Sequence, residues 1–206
     1  MCLTTQLYAQ NIKDIALSFN GIDNYVDVKS DIPLNTNQFT IEFWAKPTNI
    51  NDFKTVIGQG VEQANKGLTI GFLNDHRFSF EFYDNSLITA NSYNDDSWHH
   101  WACVYEKNDE NLFARKIYLD ATLLTQDEST EFYTGTGGLC IGKTYWHTRY
   151  FNGLIDEVRI WSIARKINDI ANHRHQPGFE YPLEERGIQF YDNFLTCSEL
   201  PFSLAS

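Results

Sequence analysis

The sequence predicts an all-β protein, an antiparallel sandwich or barrel with one short C-terminal helix, and three observations carry that expectation. Short runs of alternating apolar and polar residues succeed one another, about eleven in all, with Gly, Asn or Asp at most turns between them. Aromatic residues make up 15% of the 206 residues, with 15 Phe, 11 Tyr and 5 Trp against a single Met, a composition that suits pleated, half-buried surface. A single segment near the C-terminus changes from a period of two to helical spacing.

In chain order, IALSFNG places Ile15, Leu17 and Phe19 on one face, and YVDV follows a GIDN turn. QFTIEFWAKP alternates Phe39, Ile41 and Phe43 with Thr40, Glu42 and Trp44, then stops at Pro47. KTVIGQG and KGLTIGFLN read as a pair joined by the polar stretch VEQANK. In RFSFEFYD, Phe78, Phe80 and Phe82 point inward while Arg77, Ser79, Glu81 and Tyr83 point outward. SLITANS, SWHHWACVYE, RKIYLDATLL, GGLCIGK and FNGLIDEVRIW complete the strand set. In SIARKINDIANHRHQPG, Ile163, Ile167, Ile170 and Ala171 recur at helical spacing, with Ser162 as N-cap and Pro177–Gly178 as the stop. The narrow apolar stripe of that helix predicts that it lies across an end or face of the sandwich. GIQFYDNF, Gly187 to Phe194, offers one extra edge strand, and the final CSELPFSLAS reads as a tail.

A chain of this length fits one domain over 1–206, with a core about 15–175 and an extension from 176 onward, because all-β folds of this size stay single. The formal net charge is −11 and the isoelectric point near 4.9. That sign repels the phosphate backbone of nucleic acid and the surface of anionic membranes, and it suits calcium or neutral ligands. No run of about 18 apolar residues is present, so no membrane insertion is expected. The N-terminal MCLTTQLYAQNIKD has neither the basic nor the apolar region of a signal peptide. Cys2, Cys103, Cys140 and Cys197 show no metal-finger spacing; Cys103 and Cys140 lie in apolar runs, where buried free thiols are expected, and the even count leaves disulfides open.

FNGLIDEVRIW, Phe151 to Trp161, carries an acidic pair inside a strand. Strict alternation puts Leu154, Asp156, Val158 and Ile160 on one face and Ile155, Glu157, Arg159 and Trp161 on the other. Asp156 then shares a face with three aliphatics, where an unpaired carboxylate is costly, and Glu157 pairs with Arg159 opposite it.

Four motifs taken in order, LSFNGIDNYVDV, FTIEFWAKP, DDSWHHWACVYE with IYLD, and LCIGK through YFNGLIDEVRIWSIARK, resemble the laminin-G-like, concanavalin A-like jelly rolls. The resemblance spans roughly Ala16 to Ala171 and is strongest to the branch that includes pentraxins. It implies a two-sheet antiparallel jelly-roll sandwich that binds glycans or protein partners, often with calcium, and it favours an extracellular location. It also implies that the first and last strands pair, which makes Asp23 and Asp156 candidate ligands of one structural calcium ion. The pentraxin calcium run is missing: the matching stretch, CIGK followed by Thr144, Tyr145 and Trp146, has no carboxylate. Cys103 matches one half of the pentraxin disulfide, but its partner position falls at or near Glu42. The chain is thus similar to the wider jelly-roll group and departs from true pentraxins.

Glucanases on this scaffold place carboxylates on alternate residues of one strand. Here Asp156 is followed by Val158 and Ile160, and Glu81 has no second carboxylate two or four residues on, so no catalytic pair is assigned. The loop KTYWHTRYF supplies instead Tyr145, Trp146, His147, Arg149 and Tyr150, an aromatic and polar set suited to stacking on a pyranose and orienting its hydroxyls. The alternative is a hydrophobic plug closing one end. Gln63 and Asn65 of VEQANK are candidate amide partners opposite that loop, and Tyr93, Asn94, Asp95 and Asp96 a second rim. His99 and His100 alternate across a strand and cannot share a metal; Trp98 and Trp101 read as core, and His173 and His175 as helix-end charges. The expected function is a non-catalytic, lectin-like module whose ligand is a glycan. A protein-interaction module is the alternative, and an enzyme of unfamiliar mechanism the third reading.

Overall fold

The computed structural model describes residues 16–36, 38–108, 112–129, 131–174, 189–191 and 202–205. Twelve strands form its body: β1 (Leu17–Asn20), β2 (Tyr25–Asp31), β3 (Phe39–Pro47), β4 (Lys54–Gly60), β5 (Gly67–Phe72), β6 (Arg77–Phe82), β7 (Ser86–Ser92), β8 (His99–Lys107), β9 (Phe113–Leu119), β10 (Thr122–Ser129), β11 (Gly138–Ile141) and β12 (Asn152–Trp161). A short helix α1 (Ile167–Asn172) and two strands, β13 (Gln189–Tyr191) and β14 (Phe202–Ala205), follow. One sheet, here the front sheet, runs β1-β12-β3-β8-β9-β10, with β13 added parallel to β12. The back sheet runs β14-β2-β11-β4-β5-β6-β7. Pairing of β1 with β12 and the crossing of consecutive strands between sheets give the antiparallel jelly-roll sandwich.

The sandwich closes over one face of each alternating strand. Phe39, Ile41, Phe43, Trp101, Cys103 and Tyr105 of the front sheet meet Leu68, Ile70, Phe72, Phe78, Phe80 and Phe82 of the back sheet. Phe78 stacks on Trp101 with ring centroids 3.9 Å apart, joining the two layers at their centre. At one edge Arg115 of β9, almost fully buried, pairs with Asp127 of β10 and donates to the Asn85 carbonyl at 2.6 Å, tying the hairpin to the back sheet. Cys103 and Cys140 are both buried and neither is in a disulfide, and burial pushes the Cys103 thiol well up; Cys2 and Cys197 lie outside the described residues. Among the described residues no helix is long and apolar enough to cross a membrane.

Several expectations from the sequence change here. RKIYLDATLL is not one strand but the turn of a hairpin, with Asp120 and Ala121 both at positive φ between β9 and β10. That is the geometry of a two-residue primed turn, written without the usual glycine. Helix α1 begins with Lys166 as a cap that makes no side-chain bond, so Ser162 is not its N-cap. The reason is local: Thr40 Oγ1 donates to the Ile163 carbonyl at 2.8 Å and accepts the Arg165 amide at 2.9 Å, holding those residues as a strap along β3. Ile170 alone of the helical stripe is fully buried, against Ala102, Val104 and Tyr118 on the outer face of the front sheet, while Ile163 and Ile167 are exposed. Trp98 is only half buried, whereas Trp101 is core. FSLA, expected as tail, is β14 and pairs with β2. Within the expected edge strand at Gly187–Phe194, Gln189–Tyr191 forms β13, parallel to β12, and the flanking positions lie outside the described residues. Pro177, Gly178 and His175 lie outside the described residues.

Beneath the strap lies a charged layer that the alternation of FTIEFWAKP conceals. Thr40, Glu42 and Trp44 face away from the core, yet all three are buried. Arg165 pairs with Glu42, donates to the Asp169 carbonyl at 2.8 Å and stacks 4.2 Å from the Trp161 ring. His100 stands 3.4 Å from the other Glu42 oxygen and packs edge-on against Trp44. The acidic pair of β12 belongs to the same face. Between Asp156 and Arg159 the ladder to β3 skips one position, so Glu157 and Val158 together oppose Phe43. This β-bulge, with Glu157 at φ 51°, shifts the phase of the strand. Ile155, Val158 and Ile160 all reach the core, and Asp156, Glu157 and Arg159 share the outer face. Asp156 therefore does not stand in line with aliphatics; its Oδ1 accepts the Glu157 amide at 2.8 Å and holds the bulge. The expected pair of Glu157 with Arg159 is present at 2.5 Å, and Arg159 also donates to the His173 carbonyl at 2.7 Å. The acidic pair is a structural clasp.

Candidate functional site

The site is built by the loop between β11 and β12, which folds back over the outer face of the back sheet. Core-facing Leu68, Ile70 and Phe72 of β5 alternate with Gly67, Thr69 and Gly71, so the outer face is thinned by glycine. A β-carbon on Gly58 would lie 2.5 Å from the Lys143 carbonyl oxygen, and one on Gly67 2.8 Å from Cζ2 of Trp146. These two glycines seat the loop. Its ends are pinned by the Gly142 amide donating to Val56 at 2.7 Å and by the Thr55 amide donating to Arg149 at 3.0 Å.

The loop divides its candidate residues into two groups. Tyr145 and Tyr150 turn toward β2. Lys143 Nζ lies 3.9 Å from the Tyr25 ring centroid, 5.7 Å from Tyr150 and 5.9 Å from Tyr145, and the Tyr145 hydroxyl donates to Asp27 at 2.7 Å. Burial, then the bond to Asp27 and the neighbouring Cys140, pushes the Tyr145 hydroxyl far above its usual pKa, so it remains a donor. Trp146, His147 and Arg149 turn the other way, toward β5 and β6. Trp146 is half buried over Gly67. His147 Nε2 stands 3.7 Å from Glu62, whose carboxylate accepts the Tyr83 hydroxyl at 3.1 Å. Burial and the Arg149 charge lower the His147 pKa against the opposing pull of Glu62, which leaves its imidazole neutral at pH 7. Arg149 lies 4.8 Å from the Phe53 ring centroid. On β6, burial pushes the Glu81 carboxyl up, and the Arg149 charge acts against that rise.

The expected positions thus meet different ends. Trp146, His147 and Arg149 come together, and the VEQANK turn does flank them, with Gln63 exposed beside Glu62. Asn65 turns away: at φ 57° its amide donates to Glu131 at 2.7 Å and accepts from Asn85 at 2.9 Å, bracing neighbouring loops. Tyr93 packs edge-on against Trp101, and Asp95 bonds His99 at 3.0 Å, so the second rim serves the core and a histidine clamp. His99 and His100 do point to different partners. Glu62, Glu81, Tyr83 and Phe53 are site residues that motif reasoning did not assign. Their signal was present, since Glu81 and Tyr83 occupy the outward positions of RFSFEFYD opposite a glycine-rich strand.

The register separates the two calcium candidates. Leu17 pairs with Ile155 and Asn20 with Asn152, so Asp23, just beyond Asn20, and Asp156 sit at opposite ends of the β1–β12 ladder. Four residues of strand are about 13 Å, beyond the span of one coordination sphere. The near oxygen of Asp23 accepts Asn20 Nδ2 at 2.7 Å in the turn, and that of Asp156 holds the bulge. Among the described residues no group of three or more His, Cys, Asp or Glu could hold a metal ion. Asp23 and Asp156 do not fit a single shared ion.

A family model described as the concanavalin A-like lectin/glucanases superfamily (Laminin_G_3) matches residues 20–171. No curated protein matches the sequence. Among solved structures, the native heptameric SAP-like pentraxin from Limulus polyphemus aligns with a TM-score of 0.66 at 14% identity, over 95% of this chain and 94% of that one. The CBM40 of the Ruminococcus gnavus IT-sialidase aligns with a TM-score of 0.60 at 16% identity, over 78% of this chain and 95% of that one. Domain 4 of AbnA, an extracellular GH43 arabinanase from Geobacillus stearothermophilus, in complex with arabinotriose, aligns with a TM-score of 0.57 at 18% identity, covering 76% and 75% of the two chains. At these identities the likeness is one of fold.

Proposed function

Because this chain belongs to the concanavalin A-like lectin/glucanases superfamily, we propose that it is a carbohydrate-binding module whose glycan docks on the outer face of the back sheet. The observation that carries the reading is the indole of Trp146, seated half-buried over Gly67 and 6.4 Å from the His147 ring, which in turn meets the Glu62–Tyr83 pair. An aromatic face backed by a rigid sheet and ringed by hydrogen-bonding groups suits a pyranose, which presents apolar C–H on one side and hydroxyls around its edge. Neutral His147 and the carboxylates of Glu62 and Glu81 can accept from hydroxyls, and Tyr83 and Arg149 can donate. Two solved structures of the same fold support the reading by their own ligands: the CBM40 of the R. gnavus sialidase has been seen with α2,3-sialyllactose and the arabinanase domain with arabinotriose. A glycan array followed by titration calorimetry tests it, with Trp146→Ala as the control. Loss of about five- to tenfold in affinity is expected, since one aromatic stack contributes on the order of 1–1.5 kcal/mol. Binding that is indifferent to Trp146 would remove the site.

A protein ligand is the second reading, favoured by Val61 and by Tyr145 of the loop, which stand 54% and 45% exposed. Exposed apolar side chains of this kind suit a protein partner. Pull-down with sizing chromatography separates it from glycan recognition. An enzyme needs a water-excluding pocket around His147 and a carboxylate, and the His147 and Glu62 side chains are 29% and 49% exposed, which supports an open rim instead.

A further inference from the structure

The charges around Trp146 bear on which sugars the site takes. Arg149 lies with its guanidinium 4.8 Å from the Phe53 ring centroid, one cation set against the two carboxylates of Glu62 and Glu81. Glu62 stands 3.7 Å from His147 in the β4–β5 turn, and Glu81 occupies an outward position of β6 opposite Thr69, on the same face as Gly67. His147 adds no positive charge at neutral pH, for the reasons of burial and Arg149 proximity given above. The whole chain carries −11, so the long-range field has the same sign as the groove.

We infer that this groove selects neutral sugars and discriminates against sialylated and other anionic glycans, with Glu81 and Glu62 as the specificity-determining residues. The inference rests on the glycan-binding reading and goes one step beyond it, to the ligand class. Hydroxyl groups of a neutral sugar satisfy both carboxylates as donors, and those charge-assisted bonds are the strong kind. A carboxylate on the ligand has no donors to offer them and meets like charge at close range. A single guanidinium, held against the Phe53 ring, faces two carboxylates and leaves the rim with an excess of negative charge. This differs from what is seen with the R. gnavus CBM40, which binds sialyllactose on the same fold.

The test is calorimetric titration of the intact chain with matched oligosaccharide pairs, each a neutral glycan and its sialylated form, at low and high salt. The sialylated member should bind at least about tenfold more weakly, and the gap should narrow at high salt. Glu81→Gln and Glu62→Gln should each narrow it, and Arg149→Ala should widen it. Glu62 is exposed and outside the core, so its variant keeps the test valid if Glu81→Gln unfolds. Sialylated ligands bound as tightly as neutral ones, with Trp146 still required, overturn the selectivity and leave the glycan reading standing. A gap unmoved by both glutamine variants overturns the assignment of those residues. Failure of every glycan, neutral or charged, overturns the glycan reading and this inference with it.

Discussion

Arg165→Met should be among the most damaging single changes on the outside of the front sheet. The substitution keeps most of the aliphatic length against Trp161 but removes the cation that pairs with Glu42, a carboxylate with no exposed surface. The Arg165 side chain itself is 5% exposed, so solvent cannot replace it. Breaking a buried ion pair from one side costs about 3–5 kcal/mol, most of it the penalty of a stranded charge. At this chain length that is a fall in Tm of about 6–20 °C. Urea denaturation of the wild type, Arg165→Met, Glu42→Gln and the double variant measures it as a cycle. Glu42→Gln placed in the Arg165→Met background should restore about 2 kcal/mol, because an amide is cheaper to bury than an unpaired carboxylate. Amide exchange across residues 165–173 should accelerate more than in β8, since the strap and α1 lose their anchor. A loss under about 1 kcal/mol for Arg165→Met, or strict additivity in the cycle, would refute the clasp.

Three further outcomes follow from specific contacts. His99 sits between Asp120 at 2.7 Å and Asp95 at 3.0 Å; burial alone would lower its pKa, but those two bonds carry it above the usual 6.5. The stabilisation is fully present below pH 6.5 and is lost as pH rises through the folded value, so the urea midpoint should fall as pH is raised above 6.5, and His99→Gln should flatten that slope. Gly67→Ala puts a methyl 2.8 Å from Trp146 Cζ2 and 2.6 Å from the Val61 carbonyl oxygen; it should cost about 1–3 kcal/mol, shift the tryptophan fluorescence and weaken glycan binding alongside Trp146→Ala. Ala121→Gly relieves a φ of 64° in the β9–β10 turn and should raise stability by about 0.5–1 kcal/mol, read as a higher urea midpoint.

Much of the architecture was legible because period-two alternation with one buried face is written directly in residue type. Phe78, Phe80 and Phe82, or Phe39, Ile41 and Phe43, could face only a core. The errors cluster where the chain leaves that period without a residue that announces it. Asp120 and Ala121 make a primed turn with no glycine, so one hairpin read as one strand. The bulge at Glu157 depends on β3 offering one residue against two, and nothing in FNGLIDEVRIW alone marks it. Ser162 looked like a cap because capping chemistry is local, but Thr40, 123 residues away from Ile163, claims that strap first.

The sequence by itself determined the all-β class and the strand faces, and it singled out KTYWHTRYF as the candidate recognition loop. Those properties follow from local pattern and composition, which each segment holds whatever its neighbours do. Tertiary structure alone decided how the loop divides, that Tyr145 and Tyr150 close over Lys143 while Trp146 lies over Gly67 and His147 meets Glu62, and that Asp156 holds a bulge far from Asp23. These are matters of register and of close approach over Gly58 and Gly67, set by strands distant in sequence and therefore invisible to any window along the chain.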